Sequence, residues 1–277
     1  DITDQKLYEQ LLHDTNTVLE QRVVARTADL QAALADLQRA NQLKDEFLAM
    51  MSHELRTPLM GVLSMAEMLK DEISGPLTAR QATYVQAITK SGERLLTVIN
   101  GILGYTHLLS GKVQLHAEPC DLGYLLATCA ASQQYKAAEK RQAIAVEVTP
   151  PELTITSDAT ALAEVLKRLL DNALKFTPDG GQVGLEAHLS SAPDQANGVK
   201  QIAVDLVVWD TGIGIAPDQQ EHVFHAFTQA DARLSRSHEG IGLGLAYVEE
   251  MVRLLGGTIA LNSTPGQGSR FTVTLPT

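Results

Sequence analysis

The chain has 277 residues, 44% hydrophobic and 20% charged, a globular composition with length for more than one core, which excludes a small disulfide-stapled module. Its 22 Lys and Arg against 33 Asp and Glu leave a formal net charge of −11 without a block of like charge, arguing against nucleic acid or an anionic membrane as the main partner. No run approaches the ~18 apolar residues of a membrane span, and Cys120 and Cys129, with neither metal-finger nor CxxC spacing, read as buried reduced thiols of a cytoplasmic protein.

No secretory signal opens the chain, and neither Gly nor Pro interrupts it before Pro58, which predicts one long helix. Leu19, Val23, Arg26, Leu30, Ala33, Leu37, Ala40, Lys44, Phe47 and Met51 alternate by fours and threes, the heptad period of a two-stranded coiled-coil seam that Arg26 and Lys44 weaken. Residues 1–45 are therefore expected to form a signalling coiled-coil linker. After Pro58 the helical pattern resumes through Met68, breaks at Ser74-Gly75-Pro76, and returns from about Ala79 to Leu109. Val85, Ile88, Leu95, Val98, Ile102 and Leu109 keep helical spacing there, so residues 46–112 suit a helical hairpin that pairs with a second copy as a homodimeric four-helix bundle.

From about Val113 strands and helices mix. Residues 143–148 and 201–208 alternate as strands; helices are expected near 122–141, 160–175 and 243–255; and a closing hairpin pairs 258–261 with 270–275 across Thr264-Pro265-Gly266-Gln267-Gly268. Ser190–Lys200 reads as a solvated hairpin loop. Residues 113–277 thus form an α+β sandwich with helices on one face of a mostly antiparallel sheet, and the chain is multidomain.

The first chemical constellation is Phe47-Leu-Ala-Met-Met-Ser-His-Glu-Leu-Arg-Thr-Pro-Leu59. His53 lies two residues, about 200° of helix, past the seam residue Met51 and so faces water. Glu54 beside it can accept the second imidazole proton and fix the tautomer, which makes the ring a nucleophile. Thr57, four residues on, lies over the same face, where its hydroxyl can orient a water. This segment resembles the phosphoacceptor box of sensor histidine kinases, F-x-x-x-x-S-H-E-L-R-T-P-L, with every position filled. The resemblance implies that His53 is phosphorylated, that Glu54 is its general base, and that Thr57 positions the water that later dephosphorylates the partner protein.

On the helix expected at 160–175, Leu162, Val165, Leu166, Leu169 and Ala173 make an apolar face, and Glu164, Arg168, Asn172 and Lys175 a polar one. An Asn carbonyl is a hard oxygen ligand suited to Mg2+ between phosphates, and Lys supplies a point charge. Asp171–Thr177 resembles the asparagine box of the histidine-kinase ATPase domain, which implies that Asn172 binds Mg2+ and that Lys175 meets ATP; Arg168, one turn before Asn172 and on its face, is placed to reach the phosphates as well. In Val207–Ile215, Asp210 is the acceptor an adenine amino group needs, and Gly212 and Gly214 let backbone approach a ligand. Gly240-Ile241-Gly242-Leu243-Gly244-Leu245 precedes a helix whose first amides can cradle phosphate. Neither cluster is a dinucleotide fingerprint, since Pro217 occupies the third glycine position after Gly212 and Gly214. Val223–Asp231, with Phe227, resembles the phenylalanine box of the same domain, followed by a lid to about Glu239 that carries Arg233 and Arg236. The fold so implied is the Bergerat-type ATP site.

One position departs from that family. Arg168 stands where most members have an Asn, and Arg cannot abstract a proton from water, which argues against an ATPase motor. Its guanidinium either reaches the phosphates or pairs with Glu164. The reading is a sensor histidine kinase core that uses Mg2+ and ATP, passes phosphate to an Asp of a response regulator receiver domain, and removes it again. The opening Asp1-Ile2-Thr3 resembles the exit of a PAS sensor domain. The competing class is a dimeric signalling scaffold or a phosphatase-dominant core with a degenerate ATP site. A chaperone- or topoisomerase-like ATPase is contradicted by the His53 segment.

Overall fold

The computed structural model describes the backbone of residues 2–277 other than 74, 112, 194–199 and 229–241, and side chains from Leu19 onward outside those segments and outside 20, 28, 42, 45–49, 192–193 and 200–201. The chain divides into two compact units, Asp1–Glu54 and Leu55–Thr277. Helix α1 runs from Ile2 to Lys70 and contains Pro58. The helix therefore does not pause at Pro58 as the sequence pattern suggested; a proline removes one amide donor, and the helical turns on either side persist.

In the first unit the expected seam lies open. Leu30 and Leu37 are 71% and 66% exposed. Among the described residues no helix is long and apolar enough to cross a membrane.

The second unit begins with a hairpin of the remainder of α1 and helix α2, Ala79–Leu109. Thr78 and Gln81 form a reciprocal capping box at its start, with Gln81 N donating to Thr78 Oγ1 and Thr78 N to Gln81 Oε1, so that side chains satisfy amides a helix start leaves unpaired. Leu63, Ala66, Val85 and Ile99 are buried between the helices. Gly92 is there because a β-carbon would stand 2.6 Å from Leu63 Cδ2, and Arg56 ties the pair by donating to Asn100 Oδ1 at 2.8 Å.

Beyond the hairpin, β1 (Glu118–Asp121) pairs antiparallel with β3 (Thr154–Ser157) in a small sheet. The main sheet has the order β2-β4-β5-β7-β6, made of β2 (Ala143–Thr149), β4 (Gln182–Pro193), β5 (Lys200–Asp210), β6 (Thr258–Thr264) and β7 (Gly268–Pro276). Only β2–β4 is parallel; the other pairs are antiparallel. Helices α3 (Leu122–Glu139), α4 (Ala159–Phe176) and α6 (Gly244–Leu254) supply one side of the core, and a short turn of helix, α5, spans Pro217–Gln220. Leu126, Leu162, Leu166 and Leu169 from the helices meet Leu185, Leu206 and Val273 from the sheet, all fully buried. Leu108 at the end of α2 joins the same core, and α2 packs on α6.

The opposite sheet face is covered by polar straps. Arg270 on β7 reaches Glu186 on β4 in a two-pronged ion pair at 2.9 and 3.1 Å. Val207 on β5, the strand between them, is only 1% exposed. Trp209 lies over Gly184, where a β-carbon would come within 2.2 Å of the indole.

The ladder of β4 with β5 continues to Pro193 and Lys200, so the stretch expected as a loop is strand at both ends; residues 194–199 lie outside the described residues. Backbone pairing is indifferent to side-chain polarity on an exposed face, and the pattern there signalled solvent and not conformation.

Candidate active site

His53 and Glu54 close the first unit. Their side chains are 79% and 71% exposed, and His53 Nδ1 lies 3.6 Å from Glu54 Oε1. A carboxylate at that nitrogen favours the tautomer with its proton on Nδ1, which leaves the lone pair on Nε2. Thr57 lies in the second unit, on α1, and is exposed.

Helix α4 is the spine of the second constellation. Its N-cap is Asp158, whose carboxylate accepts the amides of Ala161 and His116, each at 2.9 Å. Burial pushes this carboxyl up, but the backbone donors together outweigh it and hold the group below the usual carboxylate range. The apolar side of α4 is buried, whereas Glu164, Arg168, Asn172 and Lys175 are partly exposed, as their spacing predicts. The Lys175 ammonium lies 4.8 Å from the centroid of the Phe176 ring.

Two residues absent from the sequence reading secure the end of α4. Gln142 Nε2 donates to Leu174 O at 3.1 Å and Thr177 O at 2.7 Å; Lys140 Nζ donates to Leu174 O at 2.8 Å and Lys175 O at 3.1 Å. A helix leaves its last carbonyls without intrahelical partners, and here the turn between α3 and β2 supplies them. No local signal marks this pair, because it acts on residues more than thirty positions away.

Asp210 ends β5 and is 8% exposed. Burial pushes its carboxyl above the usual range, and the amides of Gly212 and Ser269 offset only part of that. The glycines after it serve the chain's own backbone first. A β-carbon at Gly212 would stand 2.5 Å from Phe176 O, and one at Gly214 would stand 2.0 Å from Thr264 O. Gly214 also has φ +67, a left-handed conformation that favours glycine. The loop is thus pinned between the end of α4 and the β6–β7 turn.

In the phenylalanine segment Val223 is buried and Phe224 meets Phe271 edge to face at 6.3 Å. Phe227 instead is 64% exposed with φ +65, and its amide donates to Gly242 O at 3.0 Å. Gly242, at φ +74, is held so closely that a β-carbon would lie 2.4 Å from Thr228 O. The phenylalanine segment and the second glycine cluster are therefore one backbone unit.

Among the described residues no side chain caps helix α6 where it begins at Gly244, and the first amides of a helix lack intrahelical partners. The β-carbon position of Gly244 lies 3.9 Å from Asn172 Nδ2. The asparagine and the glycine cradle, seventy residues apart in sequence, thus come together. Leu245 is partly buried against the core. Gly240, Arg233, Arg236 and the rest of the expected lid lie outside the described residues.

Arg168 takes neither a solvent position nor an isolated one. Its NH2 lies 2.7 Å from Glu164 Oε1, and its guanidinium carbon sits 3.9 Å from the centroid of the Tyr247 ring on α6. Arg168 thus bridges its own helix and α6.

A phosphoacceptor-like segment on α1 and a sheet domain in which an asparagine faces a glycine-rich turn are the two parts of a histidine-kinase core. Residues 43–120 match the His Kinase A (phospho-acceptor) domain, and residues 157–277 match the histidine kinase-, DNA gyrase B- and HSP90-like ATPases. The chain belongs to the sensor histidine kinase family. It is 41% identical to the circadian input-output histidine kinase CikA of Synechococcus elongatus over 99% of its own length and 35% of that protein. It is also 34% identical to the sensor histidine kinase GacS of Pseudomonas protegens over 99% of its length and 30% of that protein. The crystal structure of full-length ShkA in complex with AMPPNP matches 83% of this chain and 45% of that one, at 36% identity and a TM-score of 0.67. The chain thus spans about a third of the curated relatives it matches.

Proposed function

We propose that this chain is the kinase core of a two-component sensor, acting as a homodimer in the cytoplasm downstream of a sensor domain. Residues 1–45 carry the signal, 46–112 form the dimerisation and phosphotransfer domain, and 113–277 bind ATP. His53 takes the γ-phosphoryl group and delivers it to an Asp of a response regulator. The observation that carries this reading is the exposed His53–Glu54 pair at 3.6 Å within the phosphoacceptor match.

With Nδ1 turned to Glu54, Nε2 is the attacking atom. A bond from Nε2 to the γ-phosphorus forms as the bond from that phosphorus to the bridging oxygen breaks. ADP leaves with the electron pair, and Glu54 receives or balances the Nδ1 proton. Asp210 accepts the adenine amino group, and Gly212, Gly214 and Phe227 shape the base pocket. The amides of Gly240, Gly242, Gly244 and Leu245 cradle the phosphates, and Lys175 adds charge. The cradle fits a phosphate chain because α6 is uncapped where Asn172 faces it. The Asn172 side-chain oxygen would hold Mg2+, which when bound neutralises charge on the phosphates. Thr57 serves the reverse step, orienting the water that dephosphorylates the regulator.

Incubation with γ-labelled ATP tests the reading. The label on the wild type is expected to be acid-labile and alkali-stable, as a phosphoramidate is, and absent from His53→Gln. Label that survives acid, or that persists in His53→Gln, rejects it; a wild type that takes no label but dephosphorylates a phosphorylated regulator selects the phosphatase-dominant core.

A further inference from the structure

Helices α4 and α6 meet in opposite order. Asn172 faces Gly244, with 3.9 Å from its Nδ2 to the glycine's β-carbon position. One turn away on both helices, Arg168 faces Tyr247, with 3.9 Å from guanidinium carbon to ring centroid. The guanidinium is gripped on another side by Glu164 at 2.7 Å, and its Nε is buried without a hydrogen-bond partner. A cation this close to an aromatic face is attracted by the ring quadrupole, and a planar guanidinium can stack where an ammonium cannot. The ring also lies against α2, where the β-carbon position of Gly104 is 3.7 Å from Tyr247 Cε2.

The two pairs therefore share one register between α4 and α6. An asparagine at position 168 would be too short to cover the ring and would carry no charge to hold there.

We infer that Arg168 is a positioning residue that acts on nucleotide through Tyr247. It clamps α4 to α6 so that the asparagine and the glycine cradle stand at a fixed distance, and Tyr247 conveys displacement of α2 to that gap. The inference rests on the nucleotide-site reading above and adds to it a route by which the hairpin sets nucleotide affinity.

A double-mutant cycle on the whole chain tests it, with Arg168→Ala, Tyr247→Leu and their combination titrated calorimetrically with AMPPNP and unfolded by urea without nucleotide. Each single change is expected to weaken AMPPNP about threefold to thirtyfold, the range of a desolvated cation–ring contact, and the double variant no further than the worse single one. Tyr247→Phe, which keeps the ring, should bind like the wild type, and Arg168→Lys should recover only part of the loss. Gly104→Leu, which pushes on the ring, should weaken AMPPNP in the wild-type background and not beside Tyr247→Leu. Gly104→Ala, whose methyl fits at ordinary contact distance, should be silent.

Additive losses in the cycle, or a loss in Arg168→Ala with none in Tyr247→Leu, would make Arg168 a direct ligand and overturn the inference. A Gly104→Leu effect that survives removal of the ring would overturn the route through α2. A wild type that binds no AMPPNP rejects the nucleotide-site reading itself. The urea cycle then decides the clamp alone, and additive stability losses there overturn it too.

Discussion

Asp210 Oδ1 accepts the amide of Gly212, two residues further on, at 2.7 Å, so the carboxylate that is to meet the base also holds the first turn of the loop around it. Burial raises this carboxyl and the Gly212 and Ser269 amides offset part of the rise. A carboxyl raised on folding stabilises below its unfolded value and loses that contribution as pH rises through its folded value. The ionised form therefore costs the empty domain stability at neutral pH. In the proposed site nucleotide reverses the sign, because an amino donor binds an ionised acceptor more strongly than a neutral one.

Two opposite pH dependences are expected above the ordinary carboxylate value of ~3.9. Across one window, stability of the empty protein falls and AMPPNP affinity rises, each measured as the difference between wild type and Asp210→Asn. At neutral pH, Asp210→Asn should weaken AMPPNP about ten- to a hundredfold, the worth of a hydrogen bond to a charged group, without destabilising the empty chain. Parallel dependences would show that Asp210 is only a structural cap on the loop.

Much of this was legible in the sequence for reasons that are local. The 79–109 helix and the polar face of α4 follow from a 3.6-residue period, and His53 from its distance to the seam. What stayed hidden depends on pairs distant in sequence. Four-residue strands such as β1 and β3 are too short to show alternation. Gln142 is an ordinary polar residue until α4 ends beside it. The glycine pattern offers Gly212 and Gly214 as room for a ligand and is silent on the chain's own carbonyls at Phe176 and Thr264, which a β-carbon at either would meet. Helical spacing places Arg168 on the face of Asn172 and beside Glu164, but its contact with Tyr247 was hidden because α6 lies about eighty residues further on.

Gly214→Ala is expected to cost about 1–3 kcal/mol of stability by urea unfolding, since it combines a left-handed backbone with a carbonyl in the way. Gly266→Ala is its control. That residue has φ +77 and nothing within 4 Å of its β-carbon position, so only the conformational cost of roughly 1–2 kcal/mol applies. Equal losses would mean that the Thr264 carbonyl can yield.

Gln142→Ala leaves the carbonyl of Thr177 short of a buried partner and should cost about 1–3 kcal/mol. Lys140→Met removes the second donor to Leu174 O. Because one carbonyl is common to both, the double variant should lose more than the sum of the two, each donor alone keeping that oxygen satisfied. Thermal melts of the four proteins measure this coupling; simple additivity would mean that Leu174 O is satisfied some other way.

The hairpin leaves an apolar groove lined by Leu59, Val62, Ala87, Ile88, Ser91, Gly92 and Leu95, with Ile88 and Leu95 46% and 48% exposed. The inner face of α2 is already spent on its own chain through Val85 and Ile99. A second hairpin laid along Ile88 and Leu95 would complete a four-helix core, and the open seam at Leu30 and Leu37 would extend it. Burying an Ile or Leu gains about 1.5–3 kcal/mol, and a two-fold interface counts each residue twice. Ile88→Glu with Leu95→Glu should therefore raise the dimer dissociation constant at least about a thousandfold and yield monomers at micromolar concentration by analytical ultracentrifugation. Leu30→Glu with Leu37→Glu should do less, since Arg26 and Lys44 already weaken the seam. If the second pair dissociates the protein and the first does not, the coiled coil and not the hairpin holds the copies together; a monomeric wild type removes the dimer altogether.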